Sequence, residues 1–260
     1  MVLREGITVC VLLYGNFPEL AARCLLPMAN NIPPASGIRI GLNVVSDATL
    51  DVVRALAGSR PAKSVIVYNS PVNRLKYPMM RKMFYDPAFP ITTRAIMWFD
   101  DDSAALYETE SWVWPIYDRL FASPDNGVIG HVWQMRLTES QKNAIARQPW
   151  YRGLPVPPKA TFATGGWWLA STEKLFAHRY PFTQLLHGGG DSLLGEMMRQ
   201  NGYKVLNHVA PGMLLINADK DGRPSKADRR GTVTKTLWAG NSAEDHTYAH
   251  RFELKGEIWE

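Results

Sequence analysis

The feature that most constrains the fold is a continuous β-branched and aliphatic run at residues 7–13, with the sequence ITVCVLL. A strand with one face in water alternates apolar and polar residues, whereas a strand buried on both faces does not. The run therefore indicates a central strand of a parallel sheet that helices cover on both sides. Tyr14, Gly15 and Asn16 follow it and predict a tight turn at the carboxyl end of the strand.

The segments after this strand continue the alternation of helix and strand. Apolar spacing and breaker residues predict helices at 17–30, 50–57, 108–121, 138–151 and 193–200, and strands at 38–45, 63–68, 96–99 and 127–133. The basic, methionine-rich segment 73–85 is predicted to be helical with an interruption at Pro78. Prolines make 153–159 a rigid connection, after which we expect sheet-building to end and substrate-facing elements to begin. The β-α-β-α-β order implies an α/β fold with a mostly parallel sheet flanked by helices.

Length and composition are those of a globular protein with a substantial core. We predict a single domain over residues 1–260. The 46% hydrophobic and 20% charged residues are ordinary for a soluble protein. No apolar stretch approaches the roughly 20 residues that span a bilayer, so the sequence predicts a cytoplasmic protein without a membrane anchor. Cys10 and Cys24 are expected to be core thiols rather than a disulfide framework.

Residues 96–103 (IMWFDDDS) form an apolar run that ends in three consecutive carboxylates. If the run is a buried strand, the acids lie at its carboxyl end, the edge where ligands bind in open α/β sheets. Adjacent carboxylates repel each other unless they share a cation or a proton, and a hard divalent ion such as Mg²⁺ or Mn²⁺ held on phosphate oxygens fits them. The alternative is a solvated acidic turn in which Asp102 or Ser103 caps the next helix.

Two glycine-rich segments lie beyond the proline-rich connection. In 161–171 (TFATGGWWLAS), the glycine pair permits close backbone approach, and the two tryptophans offer flat faces on which sugars or bases stack. The alternative is a glycine bulge with core tryptophans, and we expect one of the two to be core. In 187–192 (HGGGDS), three glycines precede Asp191 at a predicted helix start, which directs its carboxylate into a cleft or makes it an N-cap.

The formal net charge of +5 and the pI near 9.2 favour a polyanionic partner, either nucleic acid or a phosphorylated substrate. Much of the excess is local, at Arg74, Lys76, Arg81 and Lys82 and in 220–235. The alternative is a scatter of solubilising side chains. No Gly-rich phosphate loop with a following Lys-Ser or Lys-Thr is present, which argues against a P-loop phosphotransferase or nucleotidyltransferase.

The order of these motifs resembles the GT-A glycosyltransferases, and most closely their large inverting family-two class. The matching motifs are the Asp100-Asp101-Asp102 run, the Gly165-Gly166-Trp167 segment, and Asp191 with the helix that closes in Gly202-Tyr203. The resemblance covers about residues 7–209 and lies in the order of the motifs more than in any one of them. It implies a Rossmann-like GT-A sheet, with a nucleotide-sugar-binding half at 1–133 and an acceptor-side half at 134–260.

The resemblance also implies roles on the donor side. Asp100 and Asp102 would hold Mn²⁺ or Mg²⁺ against the diphosphate of a nucleotide-sugar, expected to be UDP-linked. Residues after the first strand and at the end of the second hold the nucleobase and ribose in the family, which implies this role for Tyr14, Gly15 and Asp47.

On the acceptor side, Asp191 matches the general base that deprotonates the acceptor hydroxyl for direct displacement with inversion. The Gly165-Gly166-Trp167 segment lies on the acceptor side in the family. This chain departs from the family at Gly190, where an acidic residue often precedes the base. A histidine after this helix is sometimes a third metal ligand, which makes His208 the candidate, with His246 and His250 as alternatives, although a lone histidine is more often structural.

The segment 219–235 (DKDGRPSKADRRGTVTK) is polar and strongly charged, which is typical of an exposed flexible loop. In GT-A enzymes a mobile loop near this region often closes over the donor diphosphate, a role implied here for Arg223 and Arg230, together with Lys226 and Arg229. The same side chains could contact a nucleic-acid backbone, which would make binding steeply salt dependent.

The tract 77–103 is similar to family-two-like proteins of bacterial viruses, some of which glycosylate hydroxymethylated bases in DNA. The sequence hypothesis is therefore transfer of a hexose from a uridine-linked donor to a 5-hydroxymethylpyrimidine of DNA, in the host cytoplasm if the protein is viral. A cell-surface polysaccharide glycosyltransferase and a non-catalytic nucleotide-sugar-binding protein are the alternatives. No protein partner is predicted.

Overall fold

The computed structural model describes residues 3–60, 65–105, 110–186, 188–208 and 214–215. The strands are β1 (Arg4–Gly15), β2 (Gly37–Val45), β3 (Val65–Ser70), β4 (Thr93–Asp100), β5 (Ala104–Ala105), β6 (Asn126–Arg136), β7 (Lys159–Ser171), β8 (Lys204–Asn207) and β9 (Leu214–Leu215). The helices are α1 (Pro18–Leu25), α2 (Met28–Asn31), α3 (Asp47–Gly58), α4 (Lys76–Phe84), α5 (Val113–Phe121), α6 (Glu139–Ala146), α7 (Thr172–Ala177) and α8 (Gly190–Gln200), with a 3₁₀ turn at Glu110–Trp112.

Most of the described strands form one sheet in the order β3-β2-β1-β4-β7-β6-β8. The first four in this order are parallel, whereas β7 runs antiparallel to both of its neighbours. The chain leaves β1 toward β2 and β3, and then places β4 on the other side of β1. The strand order therefore reverses between β1 and β4, and such a switch point opens a crevice at the carboxyl ends of the strands. The α/β fold predicted from the sequence is confirmed.

Alternate residues of β1 face two separate hydrophobic layers. Val9 and Val11 pack into the layer that contains α1, α3 and α5, whereas Cys10 and Leu12 pack into the layer that contains α4, α6 and α8. Side chains alternate between the two faces of a strand, so a continuous apolar run is needed to fill both layers. The two-sided burial predicted for residues 7–13 is thus confirmed.

The structure corrects the helices predicted around prolines. The helix predicted at 17–30 is two helices, because Pro27 lacks an N–H and cannot continue α1, and α2 begins after it. The helix predicted at 138–151 ends at Ala146, ahead of Pro149, since a residue before a proline is disfavoured in the helical conformation. Pro78 lies in the first turn of α4, where no N–H is needed, so it does not interrupt this helix.

The expectation that sheet-building ends at the proline-rich connection is wrong. The segment after it forms β7, which lies between β4 and β6, and β8 then extends the sheet beyond β6. A strand that is inserted out of chain order leaves no local signal, because its apolar pattern does not reveal which strands it will pair with.

Helix α8 lies so close to β7 that one position of the helix admits no side chain. A Cβ at Gly195 would lie 2.1 Å from the carbonyl oxygen of Thr161. Gly195→Ala should therefore lower the free energy of unfolding by about 2 kcal/mol or more, because the two backbones must separate. Urea denaturation measures this, with Gly58→Ala as the control, since a Cβ there points into open space. Equal stability of the two variants would contradict the close approach.

Both cysteines are buried free thiols, which confirms their prediction as core residues. Burial raises the pKa of the Cys10 thiol to about 12, so it stays protonated in the core.

Among the described residues, no helix combines the length and the apolar character that crossing a membrane requires.

Candidate active site

The acidic motif, Asp100-Asp101-Asp102, lies where β4 ends, at the switch point of the sheet. Asp100 is the last residue of β4 and is paired in register with Leu12 of β1. The chain then turns, with the Ser103 amide donating to the Asp100 carbonyl at 3.0 Å. Asp102, inside this turn, is only 4% exposed. The following residues enter β5 rather than a helix, so the interpretation of Asp102 or Ser103 as a helix cap is wrong.

Sequence reasoning missed a partner of this motif, which is Lys76 at the start of α4. The Lys76 ammonium lies 2.7 Å from Oδ2 of Asp100, while the Trp98 indole N–H donates to Oδ1 of the same carboxylate at 3.0 Å. The ammonium also lies 5.7 Å from the ring centroids of Tyr77 and Trp98. A cation at a helix N-terminus opposes the helix dipole. The observed start of α4 at Lys76 therefore fits an anion nearby, whereas the predicted segment began at residue 73 and did not reveal it.

Three carboxylates attract the Lys76 ammonium electrostatically. Burial opposes its charge, but the negative charges of Asp100, Asp191 and Asp102 outweigh that effect and raise the pKa of the lysine. The pKa of Asp100 is also raised, first by burial and then by repulsion from Asp102 and Asp191, with the ammonium acting in the opposite direction. Acids from β4 and from the start of α8 thus lie within electrostatic range of one another.

A partly buried hydrogen-bond network of two asparagine amides fixes the segment that precedes Lys76. Asn43, near the carboxyl end of β2, donates to Oδ1 of Asn73 at 2.8 Å and accepts from the Arg74 amide at 2.8 Å. Oδ1 of Asn73 also accepts from the Leu75 amide at 2.8 Å. Leu75 has a φ of 67°, which a leucine adopts only at a cost, so these hydrogen bonds hold the turn in place. The lysine is presented to the acidic motif from a fixed turn.

Asp191 lies in the first turn of α8 and faces the same site. The N-cap of α8 is Gly189, with a φ of 70°, so the interpretation of Asp191 as the cap is wrong. Oδ1 of Asp191 accepts a hydrogen bond from the Tyr77 hydroxyl at 3.1 Å. Because Tyr77 follows Lys76, the first turn of α4 contacts both the acidic motif and Asp191.

The glycine before Asp191 makes room for Tyr77. A Cβ at Gly190 would lie 2.1 Å from Cζ of Tyr77 and 2.3 Å from its hydroxyl oxygen, so the acidic side chain that the family often has there does not fit. The Tyr77 amide donates to the Leu186 carbonyl at 3.2 Å, and Tyr180 packs edge-to-face on the Tyr77 ring. Burial, and then the charge of Asp191, raise the pKa of Tyr77, so its hydroxyl remains a donor.

The residues predicted to bind the donor nucleoside lie on the β1 side of the switch point, opposite β4, at the ends of β1 and β2. The Tyr14 hydroxyl is buried with no hydrogen-bond partner among the described residues, and burial followed by the charge of Asp101 raises its pKa. Gly15 has a φ of 71°, which favours glycine. Its carbonyl accepts from the Ser46 amide at 3.3 Å. That bond brings the end of β1 next to Asp47, the exposed first residue of α3.

The Gly165-Gly166-Trp167 segment lies in a bulge of β7 at the same edge of the sheet. Residues 163–168 of β7 face only residues 130–132 of β6, so extra residues of β7 are left unpaired on that side. On its other side, β7 pairs Trp167 with Phe99, one residue before Asp100. The glycine bulge therefore borders the acidic motif.

Both tryptophans after the glycines are core residues, where the sequence led us to expect one. Trp167 and Trp168 are 0% and 1% exposed. Helices cover both faces of β7, so neighbouring side chains are buried in opposite layers. Trp167 packs on Phe99, and Trp168 stacks on Trp98 with 6.1 Å between the ring centroids. Neither ring exposes a face on which a sugar or a base could stack.

The other predicted site residues follow β8. The His208 ring packs on Trp167 with 5.3 Å between the centroids. Burial, and then the charge of Arg119, lower the pKa of His208, which favours the neutral imidazole. Within the described ranges, no three histidine, cysteine, aspartate or glutamate side chains are grouped as a metal site, and His208 as a third ligand stays a prediction. Arg223 and Arg230 lie outside the described residues, as does all of 219–235.

Comparison with known proteins identifies the fold. No protein-family model and no curated protein sequence matches the chain. The mannosyltransferase PcManGT from Pyrobaculum calidifontis, solved with GDP-Man and Mn²⁺, has 16% sequence identity and a TM-score of 0.60, over 95% of this chain and 69% of its own. S. aureus TarS 1-349 has 11% identity and a TM-score of 0.53, over 93% of this chain and 68% of its own. The structure of TarS 1-349 in complex with UDP has 13% identity and a TM-score of 0.51, over 79% of this chain and 59% of its own. The chain has a GT-A glycosyltransferase fold.

The acidic motif offers the kind of oxygen ligands that a hard cation would need. Asp100 and Asp102 supply carboxylate oxygens, which are the ligands that suit Mn²⁺ and Mg²⁺. Both oxygens of Asp100 accept hydrogen bonds, from Lys76 and from Trp98. A cation bound to Asp100 would therefore compete with the Lys76 ammonium.

Proposed function

We propose that this chain is a metal-dependent glycosyltransferase that moves a hexose from a nucleotide-sugar donor to a hydroxyl acceptor. One observation carries the proposal: carboxylates from β4 and α8 converge on the first turn of α4, at the switch point of a GT-A sheet. Asp100 bonds to Lys76 and Asp191 to Tyr77, and we assign Asp100 and Asp102 to the donor and Asp191 to the acceptor. Acids with different partners can serve two roles, stabilisation of the leaving group and removal of a proton.

Asp100 and Asp102 are the proposed ligands of the metal at the donor end of the site. Mn²⁺ or Mg²⁺ bound to these carboxylates would stabilise the negative charge that builds on the departing diphosphate. Tyr14, Gly15 and Asp47 border the same edge on the β1 side, where we place the nucleobase and ribose. Nucleotides bind in such crevices of open α/β sheets. We propose a uridine nucleotide as the donor.

Asp191 is the proposed general base. The Tyr77 hydroxyl donates to Oδ1 at 3.1 Å and fixes the orientation of the carboxylate. The second oxygen, Oδ2, then takes the proton of the acceptor hydroxyl. Attack from the side opposite the departing diphosphate inverts the configuration at the sugar carbon, which is the stereochemical outcome we propose.

Tyr77 positions Asp191 and is not itself proposed to react. Tyr77→Phe removes the hydroxyl but keeps the ring that packs on Tyr180. We expect kcat to fall about tenfold and UDP affinity to change little, because a hydrogen bond to a charged group is worth roughly 1.5–3 kcal/mol. Steady-state kinetics and calorimetry measure the two quantities. Tyr85→Phe, which loses a hydroxyl bonded to the Tyr180 carbonyl, is the matched control, and equal losses of kcat would indicate a general packing effect.

Strand β9 brings the chain that follows β8 back to the acidic motif. Leu215 of β9 pairs with Ala104, which follows Asp102 closely in the chain. Arg223 and Arg230 come after β9 in the sequence, outside the described residues. The pairing of β9 with β5 supports the proposal that these guanidinium groups bind the donor diphosphate.

For the acceptor we propose a 5-hydroxymethylpyrimidine of DNA, on the likeness of residues 77–103 to proteins of bacterial viruses. That tract forms β4, the acidic motif and most of α4, and so builds much of the proposed site. The 5-substituent of a pyrimidine projects into the major groove, where an enzyme can reach it without base flipping. A cell-surface saccharide is the alternative acceptor.

Mass spectrometry of nucleosides is the first test. DNA with hydroxymethylcytosine is incubated with the protein, Mn²⁺ and a panel of UDP- and GDP-sugars, and DNA with unmodified cytosine is the control substrate. A hexose mass shift confined to the hydroxymethylated DNA would establish donor, acceptor and reaction together. Release of UDP or GDP without a shift would keep the glycosyltransferase and redirect the acceptor to saccharides. Neither signal would overturn the proposal in favour of a nucleotide-sugar-binding protein.

A further inference from the structure

The Lys76 ammonium is bonded to a carboxylate on which a divalent cation would also bind. It is bonded to Asp100 at 2.7 Å, and its side chain is only 14% exposed, next to the rings of Tyr77 and Trp98. The same carboxylate belongs to the pair that suits a divalent cation. The ion pair and a bound metal therefore make competing demands on Asp100.

We infer that the Lys76 ammonium is a ligand of the donor diphosphate. In the free protein, the same ammonium is held by Asp100. The inference rests on the proposed function, because it needs a nucleotide diphosphate at the acidic motif. Before the donor binds, the ammonium offsets the charge of Asp100. When the donor binds together with its divalent cation, the ammonium exchanges Asp100 for a phosphate oxygen.

Charge balance favours this exchange. Two cations that share one carboxylate repel each other, so Lys76 opposes the binding of a metal to Asp100 when no nucleotide is present. A diphosphate reverses the relation, because its oxygens can accept both positive charges at once. The lysine and the metal thus compete for the free site and cooperate in the nucleotide complex.

The side chain and its surroundings allow the exchange. An ammonium carries three donors on a flexible stem, so rotation of the side chain is enough to move it from one oxygen to another. Asp102 and Asp191 also act on Lys76, so the ammonium stays in the field of the site after it leaves Asp100. The position of Lys76 in the first turn of α4 adds the positive end of a helix dipole on the same side.

Two binding measurements on Lys76→Met test the inference, since methionine removes the ammonium and keeps most of the stem. Electron paramagnetic resonance titration measures Mn²⁺ alone, and calorimetry measures UDP or GDP in saturating Mn²⁺. We expect Mn²⁺ alone to bind about threefold or more tightly, because a competing charge is gone. We expect the nucleotide to bind about tenfold or more weakly, because a charge-assisted hydrogen bond is lost. Lys76→Arg should recover most of the nucleotide affinity.

Lys82→Met, at an exposed position of the same helix, is the matched control and should change neither affinity. Unchanged nucleotide affinity in Lys76→Met would make the lysine a counter-ion of Asp100 alone and overturn the inference. Weaker binding of both Mn²⁺ and nucleotide, with a lowered unfolding midpoint, would assign a structural role and overturn it equally. Nucleotide binding that survives EDTA in the wild type would also overturn it, since no exchange with a metal would occur. A wild type that binds neither UDP nor GDP would instead overturn the proposed function.

Discussion

Asp191→Asn should reduce sugar transfer by about 10³-fold or more, while UDP affinity stays close to that of the wild type. The amide has the shape of the carboxylate and still accepts from the Tyr77 hydroxyl at Oδ1, so the fold and the donor side persist. It cannot take up a proton at neutral pH, and the acceptor hydroxyl would have to attack without a base. Chromatography of donor and product measures transfer, and calorimetry measures UDP binding.

Asp118→Asn is the matched control for this variant, because Asp118 is an exposed aspartate of α5 that lies outside the proposed site. It should keep wild-type transfer and wild-type UDP affinity. Transfer that survives in Asp191→Asn would mean that the general base is another residue. Loss of UDP binding together with transfer would mean that Asp191 acts on the donor side, through its charge on Lys76, rather than on the acceptor.

The second large effect is expected at the acidic motif. Asp102→Asn should weaken Mn²⁺-dependent UDP binding by about 100-fold or more, because a metal–carboxylate contact of several kcal/mol is lost. Asp102 is 4% exposed, so little water can enter to replace the missing ligand. Calorimetry with UDP in Mn²⁺ and in EDTA measures the metal-dependent part, and kcat/KM for transfer should fall with it.

Asp101→Asn distinguishes the members of the acidic run. Asp101 is not one of the two proposed metal ligands, so we expect Asp101→Asn to keep most of the Mn²⁺-dependent UDP affinity. Unchanged UDP binding in Asp102→Asn would refute its assignment as a metal ligand. Equal losses in the Asp101 and Asp102 variants would show that the total charge of the run matters rather than one ligand.

The position of the acidic motif could be predicted because it depends on neighbouring residues. The apolar run 96–99 stops at Asp100, since a strand buried on both faces cannot include adjacent carboxylates without a large desolvation cost. The start of α8 could be predicted in the same way, because the glycines before Asp191 interrupt the regular spacing that follows. Both sites of proposed chemistry therefore lie at ends of elements that local patterns mark.

Lys76 and Tyr77 were missed because their partners are remote in the sequence. Lys76 pairs with a residue 24 positions away, and Tyr77 bonds to one 114 positions away. Basic and apolar residues in 73–85 fit an ordinary amphipathic helix, and such a pattern does not indicate what the helix contacts. The helical segment was predicted to begin at residue 73 and to break at Pro78, so Lys76 was not recognised as the first residue of a helix.

By itself, the sequence determined the alternation of helices and strands, the burial of β1 on both faces, and the points at which β4 ends and α8 begins. These follow from side-chain periodicity and from the cost of burying charge, which act over a few residues. Only the tertiary structure decided that β7 lies between β4 and β6, that both tryptophans are buried, and that α4 joins the acidic motif to Asp191. These follow from which elements pack together, a property of the whole sheet that no short stretch of sequence carries.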